Sequence, residues 1–236
     1  MSTCTAQKCR IFVVIMAIWF TGTVAAVAPD SAMPTYNIRQ YGAEGDGKTL
    51  DTQAIQQAID ACTSAGGGIV YVPPGTYKSG TIYLKSNVTF YLDTGSTLLG
   101  SKKMEDYQPG VFNYGSVNVF IHALRADHVS IVGGGVIDGN MAIRDGKHGP
   151  PAVAFEYCNH VIIKDVSIVN SAATTPAIHY CKHVDIIRVK VINCFGAGLT
   201  TYCCQDVMVD CMYFETIMDD PICIKNEVTG GSYYTK

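Results

Sequence analysis

The sequence predicts an all-β protein, a right-handed parallel β-helix (a solenoid) with an N-terminal capping α-helix. Three observations predict it. The first is a composition of low charge, 16% of residues, with 23 glycines in 236 residues, which suits stacked strands and tight turns better than helical bundles. The second is a run of short apolar alternations from Ile69 onward, broken by Gly, Asn and Asp. The third is an internal repeat: EYCNHVIIKDVSI, HYCKHVDIIRVKV and YCCQDVMVDCMYF align on Cys158, Cys181 and Cys204, which lie 23 residues apart. A period in the twenties with several short strands marks a solenoid whose coils bury their inward residues on one another. A leucine-rich repeat shares that period, but its leucine and asparagine consensus is missing.

Residues 1–28 read as a secretory signal. Lys8 and Arg10 precede the apolar run Ile11–Phe20, and small residues follow to a cleavage region near Ala25–Ala28. A membrane anchor is the competing reading, but Thr21, Gly22 and Thr23 interrupt the run short of the ~20 apolar residues a span needs. The expected organisation is therefore a signal over 1–28 and one β-helix domain over 29–236, secreted or extracellular and in or near a cell wall.

A helix is expected over Asp51–Thr63, capped by Asp51, with Ala54, Ile55, Ala58, Ile59 and Cys62 on one apolar stripe and Gly66–Gly68 as its stop. It would cover the open apolar end of the solenoid. Strands follow at Ile69–Val72, Thr81–Leu84, Val88–Leu92, Val129–Val132 and within Val161–Val169. Fainter copies of the repeat start at Lys85 and Ala126.

Eight cysteines lie beyond the signal, and export permits disulfides without selecting a pairing. Cys158, Cys181 and Cys204 read as stacked interior side chains. His128, His160 and His183 share one turn position, where a polar side chain serving backbone groups is the ordinary expectation. No cysteine pair has zinc-ligand spacing with nearby histidines, so no metal and no cofactor is expected. Asn87-Val88-Thr89 is a glycosylation sequon. A net charge of −3 without a basic patch argues against nucleic acid as a partner.

The chemistry centres on TIMDDPICIK, Thr216 to Lys225. With a period of 23, Asp220 stacks over Ala197 and Asp219 over Gly196, with Thr174 and Ala173 one coil further back. Two acids beside a shallow groove fit glycosidic hydrolysis, one carboxyl protonating the leaving oxygen and the other activating water. Adjacent strand residues point to opposite faces, so the pair shares a site only where the strand bends, as Pro221 permits. Asp-Asp-Pro is also ordinary turn chemistry.

The stretches YNIRQYGAEGDGKTLDTQAIQQAIDAC (Tyr36–Cys62), GGGIVYVPPGTY (Gly66–Tyr77) and VSIVGGGVIDGN (Val129–Asn140), with the run Phe155–Ile224, resemble polygalacturonases, glycoside hydrolase family 28. The resemblance implies a secreted, monomeric pectin-degrading enzyme that hydrolyses α-1,4-galacturonosyl bonds with inversion. Asp219 matches the family's general acid and Asp220 one of two water-activating aspartates. Lys225 is a candidate contact for a galacturonate carboxylate. Ala197 stands where the other water-activating aspartate belongs, Met218 replaces the usual glycine and Pro221 the usual cysteine. The later Gly-His-Gly and Arg-Ile-Lys motifs would fall beyond Lys236, so the chain is expected to be the N-terminal part of a longer β-helix. The alternatives are a non-catalytic β-helix binding polysaccharide or protein, and a lyase of the same fold.

Overall fold

The computed structural model describes residues 33–112, 115–142 and 149–226. The expected signal segment, residues 1–28, lies outside the described residues.

The chain winds repeatedly through three parallel sheets in the order A, B, C, except in the first coil, where the helix stands between sheet B and the return to sheet A. Sheet A has seven strands: Thr35–Asn37, Gly68–Val72, Val88–Leu92, Asp127–Val132, Asn159–Lys164, Lys182–Ile187 and Gln205–Asp210. Sheet B has seven: Asp46–Leu50, Gly75–Ser79, Ser96–Gly100, Val136–Asp138, Ser167–Ser171, Lys190–Cys194 and Tyr213–Ile217. Sheet C has six: Ile82–Leu84, Ile121–Leu124, Val153–Glu156, Ala177–His179, Leu199–Tyr202 and Ile222–Lys225. This is the parallel β-helix that the repeat predicts.

Alternation within each strand sends every second side chain inward. In sheet A the inward column Val70, Phe90, Ile131, Ile163 and Ile186 is fully buried, each residue paired with the next. Val209 continues it in the last coil and is 39% exposed. Cys158 and Cys181 are buried in a second column, with Cys204 half-buried above them; all three are free thiols, as stacked interior side chains should be.

The helix spans Thr52–Ser64 and packs Ala54, Ile55, Ala58, Ile59 and Cys62 over the first coils, as its stripe dictates. Asp51 occupies the cap position but makes no side-chain cap bond. Its buried carboxylate instead accepts from the backbone N–H groups of Glu44 (2.8 Å) and Gly45 (3.2 Å), tying the preceding loop to the helix start.

The 23-residue period holds only for the last coils. Pairings Ile69↔Thr89, Thr89↔Ser130, Ser130↔Ile162, Ile162↔Asp185 and Asp185↔Met208 give steps of 20, 41, 32, 23 and 23 residues. In the 41- and 32-residue coils the extra chain falls between sheet B and sheet C. The first insertion includes a hairpin of Pro109–Phe112 with Gly115–Asn118. The second lies between Asp138 and Val153. The opposite corner, from C to A, keeps one length in the last coils and repeats left-handed residues: Tyr157, Tyr180 and Cys203 (φ 53°, 54°, 49°), then His160, His183 and Asp206 (φ 53°, 51°, 50°).

Candidate active site

Asp219 and Asp220 lie in the turn from the last sheet B strand to the last sheet C strand, the corner at which earlier coils carry insertions. Cys194↔Ile217 and Leu199↔Ile222 bracket the turn in one register, so Asp220 stacks over Ala197 and Asp219 over Gly196, as the repeat arithmetic requires. Three backbone bonds hold the turn on the coil beneath: Met218 N–H to Cys194 C=O (3.1 Å), Gly198 N–H to Asp220 C=O (3.0 Å) and Leu199 N–H to Pro221 C=O (2.8 Å). The approach is close enough that a Cβ on Gly198 would sit 2.3 Å from the Pro221 carbonyl oxygen. The bend that two neighbouring carboxylates need in order to share a site is therefore present, and Pro221 ends it.

Both carboxylates are exposed, and neither has a hydrogen-bond or ion-pair partner among the described residues. Beneath them Ala197 is buried, and its N–H donates to Thr174 Oγ1 (3.3 Å). The floor offers small side chains and a hydroxyl, with no third acid.

Lys225 is exposed at the end of the same sheet C strand, beside Tyr202 in the coil below. Five residues of extended chain separate it from Asp220, at most roughly 16 Å. It can reach a neighbouring sugar, but its backbone stands apart from the acid pair.

On the outer face of sheet C, Lys225 ends a row of Glu156, His179 and Tyr202. Burial, and then the charge of Lys225, pull the His179 imidazole down to about 4, so it is neutral near pH 7. One coil earlier, His122 Nε2 lies 2.9 Å from Glu156 Oε2, both side chains almost wholly buried. Sequence reasoning missed this row. Its signal was present, because Glu156, His179 and Tyr202 each stand two residues before a cysteine of the repeat.

The three turn histidines were expected to serve backbone groups. Instead their rings are exposed and stack on one another along the solenoid, with centroids 4.4 Å (His128–His160) and 4.9 Å (His160–His183) apart. A left-handed residue at this corner points its side chain outward, and in three successive coils that residue is histidine.

The family model for rhamnogalacturonase A/epimerase, pectate lyase-like, matches residues 35–186, and the chain belongs to this family. Over 117 residues it is 43% identical to an exo-poly-α-D-galacturonosidase of Dickeya chrysanthemi, a match covering 44% of this chain and 19% of that protein. Over 149 residues it is 34% identical to plasmin and fibronectin-binding protein A of Streptococcus pneumoniae, covering 57% of this chain and 21% of that protein. The family 28 exopolygalacturonase of Yersinia enterocolitica superposes with a TM-score of 0.65 at 26% identity, over 76% of this chain and 44% of that one. The chain thus matches a fifth of the two curated relatives and under half of the solved enzyme.

Proposed function

We propose that this chain is a secreted glycoside hydrolase of polygalacturonase type, acting on α-1,4-galacturonosyl bonds of pectin with inversion. Asp219 is the general acid and Asp220 the carboxylate that activates water. One observation carries the reading: two adjacent carboxylates, uncommitted to any described partner, stand at a bend over the small floor of Ala197 and Thr174. Proton donation to the leaving oxygen and proton removal from water need two such acids within reach of one bond. Lys225 supplies a positive charge for the carboxylate of an adjacent sugar. The similarity to an exo-poly-α-D-galacturonosidase supports the substrate class.

Ala197 leaves the water with one acid instead of two, and losing a positioned acid or base lowers a rate by ~10²–10⁴-fold. The proposal therefore includes slow turnover. Reducing ends should appear from polygalacturonate, vanish in Asp219→Asn and rise in Ala197→Asp. No release from either wild type or Ala197→Asp, both folded, would sink it.

A second reading is favoured by the same Ala197 and by the similarity to a plasmin and fibronectin-binding protein: a β-helix that binds polysaccharide or protein without cutting it. Oligogalacturonide binding without turnover, unchanged in Asp219→Asn, would select this reading.

A further inference from the structure

The left-handed corner between sheets C and A brings together residues that the sequence keeps far apart. Asp127 and His128 lie in one coil and His160 in the next. Asp127 Oδ1 is 3.2 Å from His128 Nδ1 and 3.3 Å from His160 Nδ1. It also accepts from Asn159 Nδ2 at 3.0 Å, which turns the carboxylate toward the rings. The three ligand-capable atoms all lie within 4.8 Å of one another.

A tetrahedral zinc with ligands at about 2.0–2.2 Å requires neighbouring donor atoms about 3.3–3.5 Å apart. Both Asp–His edges are close to that separation. The His–His edge is bounded only by 4.8 Å, and the two rings lie nearly parallel, 9° between planes and 4.4 Å between centroids. A metal in the plane of both rings needs one of them to turn. His128, with its side chain 60% exposed, has solvent to turn into.

We propose that Asp127, His128 and His160 form a surface site for a divalent first-row transition metal of the zinc class, with solvent completing the shell. Two imidazoles and a carboxylate suit zinc, whereas magnesium and calcium prefer oxygen ligands. Cysteine spacing gave no reason to expect a metal in the sequence, and this site uses no cysteine. It lies at a different corner from Asp219 and Asp220, so it stands or falls independently of the proposed hydrolysis. His183 extends the ladder but faces Asp206, 3.4 Å away, and serves as the internal control.

The test is calorimetric titration of the folded full chain with zinc alone, in a Cys211→Ser background that removes the thiol exposed among the described residues. One equivalent should bind, with a rise in Tm at saturating zinc, and magnesium should give neither. His160→Ala, His128→Ala and Asp127→Asn, each checked for unchanged circular dichroism, should weaken binding by more than about tenfold. His183→Ala should bind like the parent. Absence of saturable zinc binding, or equal weakening by His183→Ala and His160→Ala, would overturn the assignment.

Discussion

The corner from sheet C to sheet A and the corner from sheet B to sheet C are made of the same chain and follow opposite rules. The first keeps one length through the last coils and fixes its path with left-handed residues, so side chains of the same kind stack at regular intervals: Tyr157 on Tyr180 at 4.8 Å, His160 on His183 at 4.9 Å. The second absorbs a hairpin in one coil and a further insertion in the next, and contracts to a short bend where the two aspartates stand. A corner that repeats itself builds ladders. A corner that varies can enclose a groove, and the candidate catalytic acids lie there.

The contrast can be attacked directly. A one-residue insertion after Cys181 would shift the following sheet A strand by one position and turn its inward Val184 and Ile186 outward. Loss of the cooperative unfolding transition is expected. Three residues inserted after exposed Lys102, in the variable corner, should lower stability by only about 1 kcal/mol. Equal damage from both in chemical denaturation would break the comparison.

Next in size is Asp219→Asn, for which a ~10²–10⁴-fold loss of reducing-end release is expected with an unchanged Tm, because the exposed side chain has no partner among the described residues. Gly198→Ala should act the other way round, lowering stability by about 1–3 kcal/mol as its Cβ displaces the Pro221 carbonyl. Activity should fall with it, since the acids ride on that turn.

His179 gives a pH signature. Its folded-state value, near 4, lies below the ordinary 6.5. The unfolded chain therefore takes up a proton first as pH falls, and the stability tied to neutral His179 is complete above pH 6.5 and drains away toward pH 4. The Tm of wild type should fall more steeply across that window than the Tm of His179→Gln. Lys225→Ala, which removes the second cause of the shift, should lie between them. The smallest effect belongs to Arg188→Ala. Arg188 pairs with Asp165 at 2.6 and 3.0 Å, but the arginine side chain is 52% exposed and solvent screens the pair, so the midpoint of urea denaturation should barely move.

The repeat made much of this legible in the sequence. Cys158, Cys181 and Cys204 fixed the register of the last coils, and that register placed Asp220 over Ala197 before any coordinates. The helix stripe named its buried residues. The role of Asp51 was not legible, because its partners are N–H groups of a loop that closes only when the coil does. Nor were the His122–Glu156 pair or the Asp127–His160 contact, which are 34 and 33 residues apart. Insertions of unequal length put those partners out of the 23-residue phase, and periodicity cannot align what it does not repeat.

The unequal coils also have a mechanical consequence. Each strand is held by the coil before it and the coil after it, so load on the chain is carried in series. Tension applied at Asn226 would peel the solenoid from that end in steps, the first two releasing 23 residues each and the next two 32 and 41. A force–extension trace would then report the spacing of the coils as a staircase of unequal treads.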